Sequence, residues 1–179
     1  DSGVTVDYVD SNSPDGATKT IRADWCVCNI PLTVLTQLDI NVSKPMKQAM
    51  AAVPYETSYK VGLEFNRRFW EEDEWIFGGL TYTDMPIAQI AYPSQNMFKD
   101  GTGVLLGAYG YGPTSYKFNT LTPQERINVA LAYGKYIHPQ YPKEFRAGTS
   151  VVWHRIPWTL GCYGIWNEST RRQHYDTLC

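Results

Sequence analysis

The chain has 179 residues, a formal net charge of -2 and no lysine- or arginine-rich run, which argues against a nucleic-acid-binding surface. The length suits one domain, or one full domain with parts of another; no apolar run is long enough to span a bilayer as a helix, and nothing at the start reads as a signal peptide. Thirteen tyrosines and six tryptophans are bulky amphipathic side chains of the kind that line ligand pockets and also fill cores.

The first segment reads as a hairpin. "GVTVDYVDS" and "TKTIRADWCVCNI" are β-rich runs joined by the polar turn "NSPDGA". Cys26 and Cys28 fall in the second run, where a strand would project both thiols from one face. That geometry fits a disulfide poorly, and C-x-C without a second pair is weak evidence for metal, so buried reduced thiols are expected. "PLTVL" follows as a loop or short helix. Ser43 to Val53 predicts a helix, with Ser43 as cap, Pro45 in the first turn and Pro54 as the stop.

"SYKVGLEFNRRFW" predicts a strand, with Tyr59, Val61, Leu63 and Phe65 alternating against Lys60, Gly62, Glu64 and Asn66. Read from the residues alone, Lys60 lies on the wet face with Glu64 and Asn66, because lysines are seldom buried unpaired. The acidic run Glu71 to Glu74 reads as a solvated turn. "WIFGGLTYTD", "PIAQIAYP" and "GTGVLLGAYGYG" are three further strand candidates. "LTPQERINVALAYGKYIHP" predicts the clearest helix. Thr122 is its N-cap, Pro123 its first residue and Glu125 closes a capping box, while Ile127, Ala130, Leu131 and Gly134 share one face. "TSVVWHRIPW" predicts the last strand, and the remainder reads as loop with a short terminal helix. The pattern is α+β and predominantly strand.

No complete catalytic constellation stands out from residue types alone. His138, His154 and His174 are scattered, and no zinc-type spacing is present. "GAYGYG" lacks the spacing of a dinucleotide-binding glycine loop, and there is no Gly-x-Ser-x-Gly elbow.

Four segments taken together resemble the flavin-dependent amine oxidases, most closely the L-amino acid oxidases. They are "VPYETSYKVGLEFNRRFWEED", "GGLTYTDMPIAQIAYPSQN", "GTGVLLGAYGYG" and "VVWHRIPWTLGCYGIW"; "RADWCVCNIP" also resembles the family's strand that returns to the flavin domain. Family members begin with a dinucleotide-binding βαβ unit and end with a Gly-Glu-His/Tyr segment near the flavin. This sequence carries neither and reads as a middle-to-late portion of such a protein. The resemblance implies an α+β fold, a mixed β-sheet flanked by helices. Residues 1–52 would be part of the FAD-binding domain, 53–153 the second half of the substrate-binding domain, and 154–179 the start of the closing FAD-binding segment.

The resemblance also assigns residues. Lys60 matches the family lysine that faces the flavin and holds a water near its N5 atom, where a cation favours developing negative charge. Tyr109 matches the tyrosine that hydrogen-bonds the substrate carboxylate, with packing as the alternative and Tyr111 as a rival. Trp153 matches an aromatic residue against the flavin, and Trp158 is a second candidate; core packing is the competing reading. Cys162 falls where monoamine oxidases carry the cysteine bonded to flavin, and Tyr163 where they place one wall of an aromatic cage. L-amino acid oxidases generally lack that cysteine, and the expectation is non-covalent FAD.

The function so implied is oxidation of an L-amino acid by hydride transfer to flavin N5, giving keto acid, ammonia and hydrogen peroxide. The alternatives are a primary-amine or polyamine oxidase, and a non-catalytic substrate-binding domain that holds no FAD by itself. The implied partners are a small amino acid or amine and the remainder of the flavin domain, with a homo-oligomer allowed; no metal, nucleic acid or membrane segment is expected.

Overall fold

The structure, a computed structural model, describes residues 3–179 and divides into two units, Asp1–Ile30 and Pro31–Cys179. The first is the predicted hairpin. Strands β1 (Val4–Val9) and β2 (Thr18–Ala23) pair antiparallel from Val4↔Ala23 to Val9↔Thr18. Asp10 closes the turn by accepting from the Asn12 backbone N–H at 2.9 Å and pairing with Lys19 at 3.0 Å. The second strand is shorter than the sequence predicts. Among the described residues no β1 residue pairs beyond Ala23, and the ladder ends there. Cys26 and Cys28 therefore lie outside any strand and are exposed, a correction to the expected buried thiols.

In the second unit the chain forms α1 (Leu32–Leu35), α2 (Lys44–Ala52), β3 (Tyr55–Glu56) and β4 (Ser58–Phe65). Helix α2 begins and ends as its sequence predicts: the Ser43 hydroxyl accepts from the Met46 N–H at 3.3 Å, and Pro45 occupies the first turn. Then come α3 (Phe69–Glu72), β5 (Gly79–Tyr82), β6 (Gln89–Tyr92), β7 (Gly103–Tyr111), α4 (Pro113–Asn119) and α5 (Pro123–Gly134). The capping box at Thr122 and Glu125 forms with both bonds in place. Next are α6 (Tyr141–Glu144), β8 (Phe145–Val152), a 3-10 turn (Trp153–Arg155), β9 (Tyr163–Gly164) and α7 (Glu168–Leu178).

Five strands form one sheet in the order β5-β6-β7-β4-β8, and every pairing in it is antiparallel rather than mixed. One face is the core. Tyr59, Val61, Leu63 and Phe65 of β4 are fully buried there with Ile90 and Leu105, covered by Phe118 of α4 and by Ile127 and Ala130 of α5. Tyr59 stacks on Phe118 with centroids 3.9 Å apart, and its hydroxyl donates to the Pro86 carbonyl at 3.0 Å. Strand β8 starts earlier and ends earlier than predicted, because the backbone turns at Trp153. None of the described helices is long and apolar enough to cross a membrane.

The acidic run is only partly solvated. Glu71 is 6% exposed and pairs with the buried Arg68, whose Nε donates to Glu71 Oε1 at 2.8 Å; Glu71 also accepts from the Phe98 N–H at 3.0 Å. Glu72 and Asp73 are exposed and meet Arg67, which reaches across to Glu144 as well. The two arginines of "NRRFW" thus absorb the charges that follow them, and a buried carboxylate is held ionised by its guanidinium.

Candidate functional site

The face of the sheet turned away from the core carries Lys60. It alternates with the buried residues of β4, as the period of two requires, and shares its side with Gly62 and Glu64. Its register partners are Tyr109 on β7 and Val151 on β8. Lys60 Nζ stands 5.0 Å from the centroid of the Tyr109 ring, a cation–π distance. Among the described residues no carboxylate pairs with it, and Glu64 is instead near Arg146 at 3.5 Å. Lys60 is half-buried beneath the aromatic ring rather than free in solvent.

A β-bulge decides that Tyr109 is there at all. Strict alternation along β7 would put Gly103, Leu105, Gly107 and Tyr109 on the core face together. In the structure Val61 pairs with Ala108 and Gly62 with Leu106, leaving Gly107 as an extra residue. Beyond the bulge the core face takes Ala108 and Gly110, and Tyr109 and Tyr111 turn outward beside Lys60. Only glycine fits at the bulge, since a Cβ on Gly107 would collide with the buried Leu63 side chain.

Tyr109 and Tyr111 meet edge to face, with centroids 5.2 Å apart and planes at 87°. Burial, and then the neighbouring Tyr111, Cys162 and Tyr163, push the Tyr109 phenol above its ordinary pKa. It is a neutral O–H donor at physiological pH. The "GCYG" turn is pinned to the start of the lysine strand by the β3–β9 pair, Tyr55↔Gly164 and Glu56↔Tyr163. The Cys162 N–H donates to the Glu56 carbonyl at 2.9 Å, and its thiol faces the same oxygen at 3.1 Å. A Cβ on Gly161 would stand 2.8 Å from Tyr55 Cβ, so this approach requires a glycine.

The structure thus gathers Lys60, Tyr109, the rival Tyr111, Cys162 and Tyr163 around one end of the sheet. Trp153 is half-buried in the turn just beyond Val151, Lys60's partner on β8. Trp158 is 77% exposed and meets no other aromatic ring among the described residues. Sequence reading missed Gln89. It is 7% exposed on the same outward face, its Nε2 donates to the Tyr111 hydroxyl at 3.4 Å, and its Oε1 is buried without a partner. The signal was a glutamine alternating with Ala91 on the side opposite Ile90 and Tyr92 in "PIAQIAYP".

A flavin ring fits this face in chemistry. An unpaired ammonium stands beside aromatic rings, and the outward sheet surface exposes Leu80, Val104 and Tyr111 to a flat apolar partner. The phosphates of FAD find no such match. The strands of the described residues are paired antiparallel, with no βαβ unit whose helix N-terminus could cradle a pyrophosphate.

The L-amino-acid oxidase of Siganus canaliculatus is 29% identical over 178 residues, covering 97% of this chain and 33% of that protein. L-amino-acid oxidase BjussuLAAO-I of Bothrops jararacussu is 32% identical over 143 residues, covering 79% of this chain and 27% of that protein. The chain spans about a third of the length of the first curated relatives it matches. Cyclohexylamine oxidase from Brevibacterium oxydans IH-35A superposes with a TM-score of 0.71 at 17% identity, over 89% of this chain and 35% of that one. The family described as flavin containing amine oxidoreductase matches residues 1–179 in full, and the chain belongs to that family.

Proposed function

We propose that the outward sheet face of this chain forms one wall of the catalytic site of an L-amino acid oxidase. The observation that carries the reading is the Lys60–Tyr109 register pair, which places an ammonium without a carboxylate partner and a neutral phenol side by side. FAD, when bound by the longer protein, supplies the acceptor for the hydride leaving the substrate α-carbon, and oxygen returns it to the oxidised form with release of hydrogen peroxide. The chain's own residues bind and orient. Tyr109 donates its O–H to the substrate carboxylate, with Tyr111 and Gln89 beside it. Lys60 holds a positive charge, and an ordered water, where negative charge develops. Tyr163 and Trp153 supply aromatic walls that exclude bulk water. The imine product hydrolyses to keto acid and ammonia.

The domain boundaries follow the same reading, with 53–153 as substrate-binding domain between two flavin-domain segments, 1–52 and 154–179. By itself the 179-residue piece would bind no FAD, because the pyrophosphate cradle is missing from it. Cys162 already has a backbone partner at Glu56, which supports non-covalent flavin; acid denaturation of the longer protein should release the cofactor, and colour retained on the polypeptide would overturn this.

A primary-amine or polyamine oxidase is the second reading, supported by the Cys162-Tyr163 pair. The curated relatives named above are L-amino-acid oxidases, whereas the amine-oxidase structures share under a fifth of their residues and speak to fold alone. Peroxide formation by the longer protein, measured with amino acids and with the corresponding decarboxylated amines, separates the two. Peroxide from amines only would overturn the amino-acid reading.

A further inference from the structure

A cavity of about 460 Å³ opens between the α4–α5 connection and the end of β8. Two arginines line it. Arg126 projects from the first turn of α5 and is 6% exposed. Its Nε donates to the Phe118 carbonyl at 2.8 Å, and its two terminal nitrogens make no hydrogen bond among the described residues. Arg155 follows Trp153 in the 3-10 turn, and its Nη1 donates to the Asn119 carbonyl at 3.1 Å.

Neither guanidinium has a carboxylate partner among the described residues, in contrast to Arg67 and Arg68. The nearest acid in sequence, Glu125, is occupied by the capping box, accepting from the Thr122 N–H at 2.7 Å. Beside them His154 has both ring nitrogens buried without a partner among the described residues. Burial and the neighbouring arginine charges hold His154 and Arg126 below their ordinary pKa values. Positive groups that raise one another's cost, one of them buried with spare donors, are the complement of an anion. The N-terminal end of α5, at Thr122 and Pro123, lies on the same cavity and adds its positive dipole end.

We infer that this cavity binds a small oxyanion, a carboxylate or phosphate group, between Arg126 and Arg155. The test is calorimetric titration of the longer protein with inorganic phosphate and with acetate at matched ionic strength. Saturable binding of at least one is expected, and whichever binds more tightly assigns the site to phosphate or to carboxylate ligands. Arg155→Gln should weaken it about tenfold or more, the loss of a charge-assisted bond. Arg126→Gln should do the same; if its buried site proves intolerant of glutamine, the exposed Arg155 variant decides alone. No saturable binding of either anion, heat that chloride reproduces, or affinity unchanged in Arg155→Gln would overturn the site.

Discussion

Removing one hydroxyl from the core should expose how the sheet is held from behind. Thr81, Tyr92, His138 and Glu74 form a continuous chain of hydrogen bonds: Thr81 Oγ1 to Tyr92 Oη at 2.9 Å, Tyr92 Oη to His138 Nε2 at 2.6 Å, and His138 Nδ1 to Glu74 Oε1 at 2.9 Å. Both ring nitrogens of His138 are thereby engaged, Nδ1 with Glu74 and Nε2 with the Tyr92 hydroxyl. His138 is 1% exposed and Tyr92 6%, so water cannot replace a lost partner cheaply. Tyr92→Phe keeps the ring and leaves Nε2 buried without a hydrogen-bond partner, which costs about 1–3 kcal/mol. For a domain of this size each kcal/mol lowers Tm by about 2–4 °C. Thr81 is only half-buried, so Thr81→Val should cost less. The sharper assay is a double-mutant cycle by urea denaturation with Glu74→Gln. Both residues act through one imidazole, and a coupling of about 0.5 kcal/mol or more is expected. Additive losses, or a Tyr92→Phe protein as stable as the parent chain, would refute the network.

Three further outcomes are expected. In the longer protein, Lys60→Met should slow reoxidation of the flavin by oxygen while preserving the fold; stopped-flow traces matching the wild type would return Lys60 to a solvent-face role. Tyr109→Phe should weaken amino-acid substrates by about 1.5–3 kcal/mol, the worth of a hydrogen bond to a charged group, and barely affect amines; equal losses in kcat/KM for both classes would remove it from the carboxylate. Gly107→Ala should destabilise the chain by about 1–3 kcal/mol, as overpacking does, because the new methyl meets Leu63; an unchanged urea midpoint would show that the bulge can relax.

Local signals carried much of the fold. Ser43, Pro45 and Pro54 bracket α2, and the T-x-x-E box starts α5, because caps and prolines act within a few residues. Helix α7 runs 11 residues, although the terminal segment read mostly as loop; its signal was Asn167, whose Oδ1 accepts from the Thr170 N–H at 2.8 Å. Helix α4 escaped notice because it is short and follows Gly112, whose φ of 63° turns the chain directly out of β7. The early end of β2 was equally hidden, since it depends on where the partner strand stops pairing.

The site shows the same division more sharply. Alternation alone placed Lys60 on the face opposite Tyr59, Val61 and Leu63, and the structure agrees. The same rule applied to β7 would have sent Tyr109 into the core beside Leu105. What brings Tyr109 out to Lys60 is one unpaired glycine, tolerated because Leu63 fills the space a side chain would need. A bulge is a relation between two strands separated by about forty residues of sequence, and no property of "GAYGYG" by itself announces it. The family resemblance pointed to Tyr109 without that geometry. Gln89 shows the limit of that route: alternation in "PIAQIAYP" gives its side of β6, but the register of β6 against β7 is what sets it beside Tyr111.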